Sequence, residues 1–271
     1  MKKSLYIILL CLPFFTCEEV VDLNLKTAEP RLVIDASLNW IKDTDGRTQY
    51  IKLSLTAPYY STTVPPATGA SISITDDKNN TFIFNEEGNT GVYKNLNFIP
   101  EINGIYNLKI TYNNEIYVAT EFLKPVVPIE SVEQKNEGGF SGEDTEIKAY
   151  YTDPKNIKNY YLFEFKSTSS NILSLEVYED EFTDGNRIFA FYSDDKLKSG
   201  DELIIQNHGI SKQYFEFMSI LLAQSGNNSG APFQTQPATI RGNCINQTNP
   251  DHYPLGYFRA SEVAIYRYIV N

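Results

Sequence analysis

Gly104-Ile105-Tyr106-Asn107-Leu108-Lys109-Ile110-Thr111-Tyr112-Asn113-Asn114-Glu115-Ile116-Tyr117-Val118 is the stretch that decides the fold class. Tyr106, Leu108, Ile110 and Tyr112 stand at every second position, the period of a strand with one buried face. Asn113-Asn114 interrupts them, and asparagine tolerates the positive φ that a tight hairpin loop demands. Ile116 and Val118 return from that turn. The same period runs backward along the chain. Leu32, Ile34, Ala36 and Leu38 share one side of a first strand; Ile51, Leu53 and Leu55 do so in a second. Ile72 and Ile74 follow Ala70, and Phe82 and Phe84 follow Thr81. Roughly six short strands over about 95 residues predict a β-sandwich, Ig-like or transthyretin-like, across residues 29–124.

Lys124-Pro125-Val126-Val127-Pro128 breaks the pattern. Proline removes a ladder donor and fixes φ, so two of them three apart suit an extended connector rather than a central strand. The boundary is therefore placed at 125–128, with a C-terminal β domain over 129–271. Glu146–Thr152, Tyr160–Ser167, Ile172–Tyr178, Arg187–Tyr192 and Glu202–Asn207 read as its strands, with Asp184-Gly185-Asn186 and Ser199-Gly200-Asp201 as turns. About 211–225 is different. Tyr214, Phe217, Met218, Leu221 and Leu222 recur at helical spacing, Ser211 suits the N-cap and Gly226 the stop. Residues 255–270 return to strand, with Tyr257, Val263, Ile265 and Ile269 expected inward. The chain thus reads as all-β: one sandwich, then a second sandwich or a barrel-like domain carrying one amphipathic helix.

The first residues set the expected compartment. Lys2 and Lys3 precede an apolar run, Leu5 to Phe15, broken only by Pro13. This is the length of a signal-peptide core and short of the roughly 20 apolar residues that span a bilayer. A buried first strand or helix is the alternative. The run stops at Thr16-Cys17-Glu18-Glu19, and a cysteine at that point resembles a bacterial lipobox. Phe14, Phe15 and Thr16 stand where the common pattern has leucine, a small residue, and glycine or alanine. The expected organisation is then a signal peptide over 1–16 and a lipidated acidic tether over 17–28. Acyl chains on Cys17 act as the anchor, each buried CH₂ contributing about 0.8 kcal/mol. Glu18, Glu19 and Asp22 resemble a surface-export signal; a solvated acidic tether is the plainer reading.

Composition bounds the partners. The chain has 23 Lys+Arg and 34 Asp+Glu, a net charge of −11. Without Lys2 and Lys3 the balance is 21 − 34 = −13. Such a surface offers no basic footprint for nucleic acid. Of the three cysteines, Cys11 falls in the leader and Cys17 would be a thioether, so Cys244 stands alone with no disulfide partner. It reads as a small polar loop thiol; the alternative, a nucleophile, has only His252 close in sequence.

The landmarks have a familiar order. Cys17-Glu18-Glu19, Leu32-Val33-Ile34-Asp35-Ala36, Gly69-Ala70-Ser71-Ile72-Ser73-Ile74, Gly91-Val92-Tyr93 and Gly104-Ile105-Tyr106-Asn107-Leu108 come first. The Pro125–Pro128 joint follows, then Thr152-Asp153-Pro154 and Asn159-Tyr160-Tyr161. Gly200-Asp201-Glu202-Leu203, Gly230-Ala231-Pro232-Phe233, Gly242-Asn243 and Pro254-Leu255-Gly256-Tyr257-Phe258 complete the series. In this order they resemble the DUF4249 family of Bacteroidota lipoproteins. The resemblance implies a surface lipoprotein that accompanies a TonB-dependent outer-membrane receptor. It brings no catalytic residues.

Motifs for chemistry are sparse. The sequence has no Gly-x-Ser-x-Gly elbow, phosphate-binding glycine loop or His-Glu-x-x-His. One cysteine and two separated histidines give no zinc spacing. Asp43-Thr44-Asp45-Gly46 has the start of a calcium loop without its later ligands. Asp76-Asp77, Glu86-Glu87 and Asp194-Asp195 fall at turns, where acidic residues serve the backbone. The expectation is a non-enzymatic protein with no cofactor beyond lipid on Cys17, at the outer membrane and facing outward. Trp40, Tyr59 and Tyr60 are the candidate partner or ligand contacts, although a sandwich-core residue is the plainer reading of Trp40. A stand-alone carbohydrate- or peptide-binding module is the alternative function.

Overall fold

The structure, a computed structural model, describes residues 28–139, 142, 144–168, 173–225 and 240–271. The leader, Cys17, Glu18, Glu19 and Asp22 lie outside the described residues, as does Gly226. The first lobe runs through β1 (Leu32–Ile41), β2 (Gln49–Leu55), β3 (Ser71–Asp76), β4 (Thr81–Glu86), β5 (Val92–Asn95), β6 (Ile105–Tyr112) and β7 (Glu115–Phe122). The second runs through β8 (Ser131–Gly138), β9 (Asp144–Thr152), β10 (Tyr160–Ser167), β11 (Leu173–Glu179), β12 (Arg187–Asp194), β13 (Glu202–Gly209) and the helix α1 (Lys212–Ser225). β14 (Ile245–Asn246) and β15 (Leu255–Ile269) follow.

In the first lobe the sheet folds back on itself where β4 meets β5. Ile34, Ala36, Leu38, Ile51 and Leu53 from one layer face Ile72, Ile74, Phe82, Phe84 and Ile110 from the other. The predicted parity holds for all of these. It inverts after the Asn113-Asn114 turn, where Tyr117 and Ala119 point inward rather than Ile116 and Val118. The reason is geometric. Both asparagines have positive φ, 48° and 64°, so the loop has two residues and pairs Tyr112 with Glu115. Paired residues share a face, which puts Tyr117 opposite Ile110 and Ala119 opposite Leu108.

β15 belongs to both lobes. Its first part lies parallel to β1, from Val33 opposite Leu255 to Ile41 opposite Val263. Its second part pairs antiparallel with β13, from His208 opposite Val263 to Glu202 opposite Ile269. β14 also returns, to pair with β7. Residues 129–271 are therefore not one closed unit beyond the joint. Tyr257 and Val263 are buried as expected, but the residues that fill the two cores are on the other parity. Phe258 and Ala260 enter the first core, and Ala264, Tyr266, Tyr268 and Val270 meet the second. Ile265 and Ile269, on the parity of Tyr257 and Val263, are 38% and 57% exposed.

The proline joint is sewn to this strand. Lys124 N donates to Ala260 O at 3.2 Å, and Glu262 N donates to Lys124 O at 2.8 Å. The Glu262 carboxylate accepts from Val126 N at 2.9 Å and pairs with Lys42 Nζ at 2.8 Å. Gly209 lets the joint come close, since a Cβ there would meet Pro125 O at 1.9 Å.

The second lobe closes between β11-β10-β13-β15 and the three-stranded β12-β9-β8. Tyr151, Tyr161, Phe163, Phe165, Leu203 and Ile205 fill it. On the outer face of the larger sheet sits α1. Ser211 caps it as expected, accepting from Tyr214 N at 3.2 Å and donating to Glu121 Oε2 at 3.0 Å. Tyr214 and Met218 are buried on Leu162, Ile210 and Tyr257, with Phe215, Phe217 and Leu222 alongside. Leu221 turns outward, so the apolar stripe is narrower than its spacing suggested.

One residue carries the parallel pairing. Gly256 has φ of +89°, and a Cβ there would stand 2.0 Å from Ile34 O. Gly256→Ala is expected to cost at least about 2 kcal/mol, from the positive φ and the clash together. Urea unfolding checks this; a midpoint equal to the parent's contradicts the close approach of β15 to β1.

Candidate functional site

The sequence reading grouped Trp40, Tyr59 and Tyr60, and the structure separates them. Trp40 lies near the end of β1, packs on the first core and donates from Nε1 to Thr44 O at 2.9 Å. It holds the 42–48 turn. Tyr59 and Tyr60 lie in the β2–β3 loop rather than in a strand, 85% and 71% exposed. Their rings meet edge-on with centroids 5.1 Å apart. That loop leaves β2 near Leu55, which pairs with Leu32. Leu32 to Trp40 spans eight residues of strand, about 26 Å, so the tyrosine pair and the tryptophan sit at opposite ends of β1. The adjacent pair Tyr160-Tyr161 behaves differently. Tyr160 and Tyr161 are both buried, one under α1 and one in the second core.

A second constellation is the one that sequence reasoning missed. On the outer face of the central sheet, Arg259 of β15 gives Nη1 to His208 Nδ1 at 3.0 Å and to Ser261 Oγ at 2.8 Å. Tyr214 of α1 covers the guanidinium, with 5.3 Å from Cζ to the ring centroid. Arginine only donates, so His208 Nδ1 is the acceptor and the imidazole hydrogen belongs on Nε2. Nε2 stands 3.3 Å from Glu164 Oε1. Burial and then the charge of Arg259 hold His208 well below its ordinary 6.5. Burial raises the Glu164 carboxyl, with Arg259 opposing. Burial likewise raises Glu121, the acceptor for the Ser211 cap.

The arrangement fixes α1 to the sheet more than it prepares chemistry. The imidazole is neutral, its Nδ1 lone pair is occupied, and its partner cation is shared with a hydroxyl. A base poised for proton transfer needs an open lone pair near a substrate. The signal in sequence is Tyr257-x-Arg259-x-Ser261-x-Val263, a strand face with polar groups between apolar ones.

Cys244 lies in a loop as expected, just before β14, but it does not face solvent. It is buried in the first core, and burial pushes it up to about 12. A thiol held protonated is a poor nucleophile. His252 is committed elsewhere, with Nδ1 2.9 Å from Glu115 Oε2. The turn acids act on backbone as expected. Asp76 Oδ1 accepts from Lys78 N and Asn80 N, and Glu86 accepts from Gly69 N and Gly91 N.

Two β lobes sharing a strand, one amphipathic helix and an exposed aromatic loop define the class: an all-β sandwich protein. The chain belongs to the family described as "Domain of unknown function (DUF4249)", which it matches over residues 18–267. No curated protein matches it. Similar solved structures include a two fibronectin type-III domain segment from chicken tenascin, at 9% identity and a TM-score of 0.22, covering 66% of this chain and 90% of that one. A DUF4785 family protein from Legionella pneumophila is similar at 11% identity and a TM-score of 0.27, covering 66% of this chain and 52% of that one.

The buried histidine has a readable consequence. Its folded-state value lies below the unfolded one, so the unfolded chain binds the extra proton on acidification. Its contribution to stability is present above the unfolded value of 6.5 and is lost as pH falls from there through the depressed folded value. In the folded protein the His208 imidazole resonances are expected to stay fixed between about pH 7.5 and 5.5. A His208 resonance that titrates near the free value contradicts the Arg259 clamp.

Proposed function

We propose that this chain is a non-enzymatic lipoprotein, held at the outer membrane by acyl chains on Cys17 and exposed to the exterior. In this reading it serves as an accessory subunit of a TonB-dependent transporter system. The observation that supports it most is where the family match starts, at residue 18, directly behind Cys17. The stretch shared with relatives begins where a cleaved and lipidated lipoprotein places its first residues. The basic Lys2-Lys3, the short apolar run and the cysteine add to it. Glu18, Glu19 and Asp22 serve as the export signal, and the acidic tether sets the reach of the lobes from the bilayer.

Tyr59 and Tyr60 are the contacts we assign to the partner. Tyrosine offers large area at low entropic cost, and pairs of rings are favoured at the centres of interfaces. Trp40 is left out of the contact set because it is engaged with Thr44 and the first core. The alternative, a stand-alone carbohydrate- or peptide-binding module, has an amide-rich cleft in its favour. Asn85, Asn95 and Asn97 line it, with a volume of about 250 Å³. That is below the roughly 300–1,000 Å³ of small-molecule sites, and the Asn95 amide already donates to Ile83 O. The transporter reading is therefore preferred.

Cys17→Ala is expected to move the protein out of the membrane fraction, read by fractionation and immunoblot. Retention of that variant with the outer membrane overturns the anchor. Purification of the parent in mild detergent is expected to recover a large outer-membrane β-barrel protein. Tyr59→Ala/Tyr60→Ala is expected to reduce that recovery by about tenfold or more, the size of a hot-spot loss, while the melting temperature holds. Equal recovery removes the loop from the interface.

A further inference from the structure

Three carboxylates converge in the second lobe. Asp153 follows β9, Asp180 follows β11, and Asp184 lies in the turn between β11 and β12. One oxygen from each lies within 4.8 Å of the others. Calcium binds oxygen at about 2.3–2.6 Å, so ligand oxygens around one ion stand at most about twice that apart, and these three fit. Asp153 and Asp180 are 1% and 3% exposed, so their charges are largely shielded from water. Among the described residues the one cation paired with them is Lys158, with Nζ 2.9 Å from Asp180 Oδ1 and its own side chain half exposed. Three negative charges against one positive leave −2 at the site.

The carboxylates are aimed by their other contacts. Tyr161 OH donates to Asp153 Oδ1 at 2.6 Å, Asn159 N to Asp180 Oδ2 at 2.7 Å, and Asn156 N to Asp184 Oδ1 at 2.7 Å. Gly185 N reaches Asp153 Oδ2 only at 3.4 Å. Asp180 Oδ1 has no aligned donor, since the Lys158 ammonium meets it by distance alone. Such outer contacts are what hold metal-ligating carboxylates in place.

A separate observation points to a missing ligand. Tyr151 is completely buried, and its hydroxyl has no hydrogen-bond partner. It lies two residues before Asp153 on the same face of the chain. Its ring meets that of Tyr161 edge-on at 5.1 Å, and its hydroxyl feels the charges of Asp153 and Asp180. A buried hydroxyl is rarely left unsatisfied. A water coordinated to an ion between the aspartates would meet it.

We propose that Asp153, Asp180 and Asp184 form a calcium site, with water in the remaining positions. All-oxygen donors select hard cations, and carboxylates from two separate segments, one after β9 and one between β11 and β12, suit the loose geometry of calcium better than the strict octahedron of magnesium. Lys158 is the internal competitor that the ion displaces from Asp180. The ion would fix the turn carrying Phe182, which is 89% exposed.

Calorimetric titration of CaCl₂ into the full chain in detergent, after chelator treatment, tests this. One site per chain is expected, with an affinity in the roughly 10⁻⁴–10⁻³ M range of extracellular modules. Asp184→Asn is expected to weaken binding by about tenfold or more. Lys158→Met, which removes the competing ammonium, is expected to tighten it severalfold. Both residues are exposed enough for circular dichroism to show a retained fold. Absence of saturable heat in the parent, or parental binding by Asp184→Asn, overturns the site. MgCl₂ binding as tight as that of CaCl₂ overturns the assignment to calcium.

Discussion

The pairing of β15 with two neighbours is the constraint on which the molecule depends. A 15-residue strand lies parallel to β1 for its first half and antiparallel to β13 for its second. Its buried face supplies Phe258 and Ala260 to one core, then Ala264 to the other, where Val270 just past its end joins it. Between them stands Glu262, a charge on the core-facing side, and the structure answers it at once. Lys42 reaches it from the first lobe and Val126 N from the joint. A carboxylate so placed needs both, because an unpaired buried charge is far costlier than a paired one. The lobes are thereby held in register by backbone and by one ion pair, rather than left to swing on a proline linker.

The opposite face of β15 explains the helix. Arg259 would be prohibitive in a bare apolar interface, yet His208 and Ser261 receive its Nη1 hydrogens and the Tyr214 ring lies over its charge. α1 is therefore held by more than an apolar stripe. Tyr214 serves both roles, packing on Tyr257 and lying over the guanidinium. The raised carboxyls of Glu164 and Glu121 flank the same region. This concentration of polar groups under a helix specifies where the helix sits, whereas hydrophobic packing alone is tolerant of sliding.

Much of this was legible in the residues, and the exceptions share a cause. Period two located most strands, and the Asn-Asn turn located a hairpin, because both signals are local. The parity of β7 was misread because it depends on the length of the loop, which flips the inward set by one residue. The burial of Cys244 and the outward turn of Ile265 follow from β14 and β15 returning to the first lobe, and the split between Trp40 and Tyr59-Tyr60 from the antiparallel pairing of β1 with β2, which sends them to opposite ends of β1. No local pattern announces a parallel partner 222 residues away, from Val33 to Leu255. Gly256 was visible as part of a motif, but its reason, the approach of the Ile34 carbonyl, is tertiary. The Arg259 cluster and the aspartate trio were hidden likewise, since each draws its members from separate strands or turns.

That long separation has a kinetic side. A sheet whose central partner lies so far along the chain has a high contact order, and loop closure must be achieved before the pairing rewards it. The first lobe cannot complete its sheet while the chain is still being synthesised. Until β15 emerges, β1 offers an open edge and its apolar face has no Phe258 to cover it. A polypeptide that stays unfinished in this way reaches its final shape only when the whole of it is present.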